Sequence, residues 1–159
     1  MNKALFLDRD GVINKEIGDY LFEPEKLEFN PGLFSFVKKF ALAGYKIIVI
    51  TNQGGIVKGY YEWHHVQEIH RLIQEEFHKH ELHIDDFFMS VHHDSIGASL
   101  DRKPGTLMLE RAVHRYNIDV SKSLMIGDKV TDVQAAERMG IRGIKITANQ
   151  NLNDLNLQP

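Results

Sequence analysis

The chain has 159 residues, 43% apolar and 26% charged, with a formal net charge of -3 and no cysteine. That length suits one domain around a single hydrophobic core, and the balance is globular and not disordered. The missing cysteines exclude disulfides, thiol catalysis and cysteine-ligated zinc, and the net charge argues against a nucleic-acid backbone as partner. No apolar run reaches the roughly 18 residues of a membrane helix. The run at 4–7 is too short for the apolar segment of a signal peptide. A cytoplasmic monomer with no membrane or nucleic-acid partner is the expectation.

Ala4-Leu5-Phe6-Leu7 stops at Asp8 and reads as a buried strand. Asn30-Pro31-Gly32 opens a segment in which Leu33, Phe36, Val37, Phe40 and Ala41 have helical spacing. Asn30 is its expected N-cap, Pro31 its first helical residue and Gly44 its stop. Lys46-Ile47-Ile48-Val49-Ile50 is a strand rich in β-branched residues and ends at Thr51. After a glycine-containing loop at 52–59, a helix is predicted over 62–79, with Val66, Ile69, Ile73 and Phe77 on one face. Residues 87–91 predict a third strand, 106–116 a helix, and 123–126 a fourth strand that ends at Gly127-Asp128. Thr131 and Gln134 form a capping-box pair for a helix that Gly140 ends, and 141–146 supply a fifth strand.

Strands alternating with helices predict an α/β fold, a doubly wound parallel sheet. Residues 1–148 are expected to form one domain and 149–159 a polar tail. The connections leave no room for a second, substrate-covering domain.

In open α/β sheets, ligands bind outside the carboxyl ends of the strands. The predicted strand ends carry Asp8 and Asp10, Thr51 and Asn52, and Asp128, and the loop after the third strand leads to Arg102-Lys103-Pro104. Acids, a hydroxyl and a lysine from distant segments thus meet on one rim. Magnesium favours carboxylate oxygens with water and phosphate, which Asp8, Asp128 and the Asp10 carbonyl are placed to supply. Asp8 can attack phosphorus to form an aspartyl-phosphate, with Asp10 as acid and then base. Thr51 and Lys103 would stabilise the oxygens of the transferring group.

Asp8-Arg9-Asp10-Gly11-Val12-Ile13-Asn14, Thr51-Asn52-Gln53-Gly54-Gly55-Ile56, Arg102-Lys103-Pro104, and Gly127-Asp128-Lys129 with Asp132 follow one another in that order. They resemble the four motifs of the haloacid dehalogenase-like hydrolases. More narrowly, the chain is similar to heptose bisphosphate phosphatases and their histidinol-phosphate phosphatase relatives. Thr51-Asn52-Gln53, Gly59-Tyr60 and the loop at Gly18-Asp19-Tyr20 look more like the heptose branch. The resemblance implies a capless Rossmannoid sheet of order 5-4-1-2-3. It implies hydrolysis of a sugar phosphate, D-glycero-D-manno-heptose 1,7-bisphosphate at C7, for lipopolysaccharide or surface-layer glycans. It makes Asp8 the nucleophile and Asp10 the acid/base. Asp8, Asp10 and Asp128 would bind magnesium, and Thr51 and Lys103 the reacting phosphoryl group. Arg102 would contact the rest of the substrate, including a second phosphate, with Asn52, Gln53, Lys129 and Tyr20 as further contacts.

Many members carry a zinc loop, Cys-x-His…Cys-x-Cys, just before Arg-Lys-Pro. Here Val91, His93, Ser99 and Asp101 stand at those places, so no zinc is expected, although His93 and Asp101 keep two potential ligands.

Each of these residues also has an ordinary structural role open to it. An Asp-x-Asp pair is usually a solvated turn, Thr51 a strand-end hydroxyl and Asp128 a turn acid; only their joint order outweighs coincidence. Asp132 is expected to orient the site and not to bind metal. Most of the nine histidines fall on or near the long helix and read as solvated surface. Tyr60 and Trp63 read first as packing at the start of that helix. The competing functions are a histidinol-phosphate or other small phosphate-ester hydrolase and, outside enzymes, a receiver domain. A receiver places its phospho-acceptor after the third strand, where this chain has His92-His93-Asp94.

Overall fold

Five short apolar segments build one parallel sheet: β1 (Lys3–Leu7), β2 (Tyr45–Asn52), β3 (Asp86–Ser90), β4 (Leu124–Gly127) and β5 (Arg142–Lys145). The computed structural model describes residues 1–159. The strands lie in the order β3-β2-β1-β4-β5, the predicted order read from the opposite edge. β1 pairs with β2 on one side (Leu5 opposite Ile47) and with β4 on the other (Leu5 opposite Leu124).

The sheet is covered on both faces, which is why its strands are continuous apolar runs and not alternating ones. Leu5, Leu7, Ile47, Val49, Leu124 and Ile126 point to one face and share a core with α1 (Leu33–Leu42) and α2 (Trp63–Lys79). Ala4, Phe6, Ile48, Ile50 and Met125 point to the other and pack on α3 (Leu107–Tyr116) and α4 (Val130–Arg138). This two-residue alternation follows from strand geometry alone. The order of strands reverses beside β1, so the carboxyl ends of β1 and β4 flank the crevice where such sheets bind ligands.

Three local expectations are corrected. α1 begins at Leu33 with Gly32, not Asn30, at its N-cap. Asn30 is buried and donates instead to the Gly11 carbonyl (2.7 Å), tying the loop after β1 to the helix it precedes. α4 begins at Val130, and its capping pair is Lys129 with Asp132, so Thr131 lies inside the helix. The stretch 149–159 is polar in composition, yet Leu152 is fully buried in the core beside α1, with Leu155 and Leu157 partly buried against it. A 3-10 turn at Leu152–Leu155 brings the first two of these leucines inward. Asn149 binds both the Glu16 backbone N–H (2.6 Å) and carbonyl (3.0 Å), so this segment also braces the loop after β1.

Candidate active site

Asp8 directly follows β1. Its backbone N–H still donates to the Ile126 carbonyl (2.9 Å), so the pairing of β1 with β4 fixes where the carboxylate starts. The residue is 5% exposed. Oδ1 accepts from the Arg9 backbone N–H and from Lys103 Nζ, each at 2.8 Å, while Oδ2 has no protein donor. Burial pushes the Asp8 carboxyl up to about 7; Lys103 opposes the shift, and the charges on Asp132 and Asp10 add to it.

Lys103 arrives from the loop after β3 and is buried. Its ammonium donates to Asp8 Oδ1 (2.8 Å) and the Ile50 carbonyl (2.7 Å), and it pairs with Asp132 Oδ1 at 2.8 Å. Burial works to lower its pKa, but the two carboxylates outweigh burial and raise it. Asn52 holds the Lys103 backbone at both groups, accepting its N–H (3.0 Å) and donating to its carbonyl (3.1 Å).

Asp10 is held by a different set. Arg9, fully buried, reaches Asp10 Oδ1 with Nε (3.2 Å) and Nη2 (2.8 Å). Asn14 donates to the same oxygen (3.0 Å), and Gln53 Nε2 donates to Oδ2 (2.9 Å). Burial works to raise the Asp10 pKa, yet the Arg9 charge and these three donors prevail and lower it. Two acids two residues apart are therefore pushed in opposite directions, the arrangement that separates catalytic carboxylates by role.

Neither Arg9 nor Asn14 was singled out in the sequence. An Arg after a strand reads as solvated surface, and only its burial reveals the clamp. Gln53, predicted at the substrate, is 2% exposed and commits its amide to Asp10, Thr51 Oγ1 (2.9 Å) and the Tyr61 hydroxyl (2.8 Å). Thr51 is fully buried at the end of β2; its oxygen accepts from Gln53, and no protein acceptor engages its hydroxyl proton.

Asp8, Asp128 and Asp132 each offer an oxygen within 4.8 Å of the others. Asp128 Oδ1 is buried without a hydrogen-bond partner, as a carboxylate awaiting a cation would be. Burial, chiefly, raises the Asp128 pKa, against the Lys129 charge. The donor set fits a hard divalent cation. Asp132, expected to orient the site, accepts the Lys129 backbone N–H (2.9 Å) and pairs with Lys103 through Oδ1 (2.8 Å), and its carboxylate also lies within reach of Asp8 and Asp128. The Asp10 carbonyl, predicted as a ligand, accepts no protein hydrogen bond, and the Asp10 side chain is spent on Arg9, Asn14 and Gln53. The close approach needs glycine: a Cβ on Gly11 (φ +84°) would stand 2.7 Å from Asp128 Oδ2, and one on Gly127 2.2 Å from Asp132 Cβ.

These groups open into a cleft of about 520 Å³, also lined by Tyr20, Asn52, Arg102 and Lys129. Lys129 Nζ lies 3.8 Å from Glu16 Oε2. The Tyr20 hydroxyl accepts from Lys58 (3.2 Å), and its ring meets Tyr60 at 5.2 Å, so Tyr60 extends the aromatic side of the mouth. His93, read above only as a remnant of the zinc-loop positions, and Asp94 also line the cleft.

The HAD-hydrolase-like family model matches residues 100–156. Over 145 residues the chain is 40% identical to a D-glycero-alpha-D-manno-heptose-1,7-bisphosphate 7-phosphatase of Photorhabdus laumondii, covering 87% of this chain and 79% of that one. It is 35% identical to the beta-named enzyme of Rhodopseudomonas palustris over 150 residues, covering 89% and 82%. A HAD-like structure from Mesorhizobium loti superposes with a TM-score of 0.85 at 29% identity, over 97% of this chain and 84% of that one. The D,D-heptose 1,7-bisphosphate phosphatase of B. bronchiseptica, solved with magnesium and phosphate, shares the fold with a TM-score of 0.85 at 24% identity, over 99% and 88%. Identity of this extent along most of both chains decides the family: the chain belongs to the D-glycero-D-manno-heptose-1,7-bisphosphate 7-phosphatases of the haloacid dehalogenase-like hydrolases.

Proposed function

We propose that this protein is a phosphatase that hydrolyses D-glycero-D-manno-heptose 1,7-bisphosphate at C7 through an aspartyl-phosphate on Asp8. The observation that carries the reading is the pair of acids itself. Asp8 Oδ2 stands without a donor at the floor of the cleft, and Asp10 beside it is aimed by three side chains. The substrate follows from the relatives, whose names specify this sugar bisphosphate.

In this reading Asp8 Oδ2 attacks phosphorus in line, and the bond from phosphorus to the C7 oxygen breaks. Asp10 gives its proton to that oxygen as it leaves. Asp10 then takes a proton from a water whose oxygen attacks the phosphorus, the Asp8–phosphorus bond breaks, and inorganic phosphate departs. Asp10 rests ionised, so it becomes the acid by taking up a proton as the phosphate's negative charge arrives. Lys103 and Thr51 offer a positive charge and a free hydroxyl proton to the transferring oxygens. Asp8, Asp128 and Asp132, with the Asp10 carbonyl, would hold magnesium. When bound, magnesium supplies positive charge that offsets repulsion between phosphate and nucleophile and favours the ionised form of Asp8.

Arg102, Lys129, Asn52 and Tyr20 are assigned to the remainder of the substrate, with Arg102 on the distal phosphate. Gln53 is assigned to the substrate through Asp10 and Thr51, which it positions. The site is read as capless, so the loops around Tyr20, 52–59 and 94–101 supply selectivity. Val91, His93, Ser99 and Asp101 do not make a closed zinc site. His93 Nδ1 accepts from the Ser95 N–H (3.1 Å), Ser99 bonds Asp101, and His92 Nε2 donates to the Gly97 carbonyl (3.0 Å), so the loop is held by its own bonds. No helix is long and apolar enough to cross a membrane. The protein is read as a cytoplasmic monomer acting on a small molecule.

The test is magnesium-dependent phosphate release from both anomers of the heptose bisphosphate and from histidinol phosphate. A heptose anomer is expected to give the highest kcat/KM, and a preference for histidinol phosphate would overturn the substrate assignment.

A further inference from the structure

Arg102 is only partly open to solvent, and two of its five guanidinium N–H donors are already engaged. Nη1 donates to the His92 carbonyl (3.0 Å), which fixes the end of the side chain against the loop after β3. Nε donates to Asp94 Oδ1 (3.2 Å). Nη2 has no protein partner. The exposures of the pair are unequal: 19% for the Arg102 side chain and 82% for that of Asp94. One partner is built in, and the other is a carboxylate on an exposed loop, free to leave.

The geometry of a guanidinium gives this a specific meaning. Its Nε–H and the adjacent Nη2–H form the side edge, which grips a carboxylate or phosphate with two parallel hydrogen bonds. Asp94 takes one position on that edge, and the other is vacant. An incoming phosphate that used the edge fully would have to remove Asp94 first. Asp94 itself lines the same cleft as Asp8 and Lys103, so its charge faces any anion that enters.

We propose that Asp94 is a latch on Arg102: its carboxylate stands in for a phosphate oxygen in the free enzyme and is displaced by the distal phosphate of a bisphosphate. The proposal rests on the reading of Arg102 as the distal-phosphate group. A phosphate dianion carries more charge than Asp94 and can fill both positions of the edge, so it wins the exchange. A monophosphate that places only a hydroxyl there leaves the ion pair closed. The latch therefore raises KM for the bisphosphate by the reciprocal of the fraction of time Arg102 is open, and leaves a monophosphate nearly untouched. Exposed pairs of this kind favour their closed form by a factor of up to roughly five. The same contact keeps an otherwise unbalanced arginine from binding free inorganic anions between turnovers.

Asp94→Asn keeps the shape of the side chain and removes its charge. With magnesium present, it is expected to lower KM for the heptose bisphosphate about three- to fivefold. KM for the corresponding 7-phosphate, which lacks the distal phosphate, stays as in the parent. In an Arg102→Ala background the substitution should no longer change KM for the bisphosphate, and that coupling is what a merely structural Asp94 would not produce. Asp94→Glu, which retains the charge, should restore the parental KM. If Asp94→Asn raises KM, or shifts both substrates equally, Asp94 orders the loop or meets the sugar and the latch is wrong. If Arg102→Ala alone leaves KM for the bisphosphate unchanged, the error lies earlier, in assigning Arg102 to the distal phosphate.

Discussion

The two sides of the cleft are held in different ways. On the strand side, Asp8, Lys103 and Asp132 are each nearly inaccessible, and the backbone N–H groups of Asp8 and Lys103 are themselves fixed. On the loop side, Tyr20, Asp94 and Arg102 are held by side-chain contacts near solvent, such as the Lys58–Tyr20 bond and the Arg102–Asp94 pair. The contrast matches the demands of the chemistry. In-line attack tolerates little misplacement, and the proposed nucleophile Asp8 follows a strand whose position the sheet dictates, with Lys103 and Asp132 buried against it. Recognition of a flexible sugar needs adaptable contacts, and exposed loops supply them.

The sharpest way to break this division is at Asp8. Asp8→Asn removes the proposed nucleophile while keeping its size, and phosphate release is expected to fall by about 10⁴-fold or more, with the fold retained by circular dichroism. Full activity would refute the mechanism. Lys103→Met is next: it leaves Asp8 and Asp132 buried without their cation and should cost about 3–5 kcal/mol in urea unfolding without magnesium. A loss below about 1 kcal/mol would show that the strand side is not the stiff half.

His70 probes the support beneath that side. It stacks on Phe87 at 4.4 Å, its Nε2 is buried without a partner, and burial, reinforced by the Arg9 charge, pushes its pKa down to about 3. Below its ordinary pKa near 6.5 the unfolded chain takes up a proton that the folded chain refuses until about pH 3. Stability is therefore lost as pH falls through that window, by about 1 kcal/mol per unit. His70→Gln should remove this part of the acid sensitivity when unfolding is compared at pH 7 and pH 5. An unchanged pH dependence would mean that His70 titrates normally. The smallest effect belongs to the loops: Tyr20→Leu should raise KM about three- to tenfold and spare the melting temperature. A loss of fold would erase the distinction between the two sides.

How far the site could be read depended on where each residue's partners lie. Asp8, Asp10 and Asp128 stood out because strand ends are recognisable from apolar runs, and a doubly wound sheet brings strand ends together; Lys103, on the loop after β3, stood out only within Arg102-Lys103-Pro104. Arg9 and Asn14 were not. Their polarity suggests solvent, while the structure buries both and spends them on Asp10. Asn30 carried a correct signal for the wrong partner: it looked like a helix cap and instead bonds the Gly11 carbonyl. Asp132 looked like a helper, and it lies beside Asp8 and Asp128 because β4 passes into α4 with almost no connection.

By itself the sequence determined the element order, the parallel α/β architecture, the chemical identity of the rim and the absence of thiolate ligands. Those depend on period, local backbone preference and residue type, which are written along the chain. Only the tertiary structure decided that Gln53 aims Asp10, that Leu152 closes the core beside α1, and that Asp94 occupies Arg102. Each of these is a contact across a fold, set by burial and by competition among partners that no local pattern records.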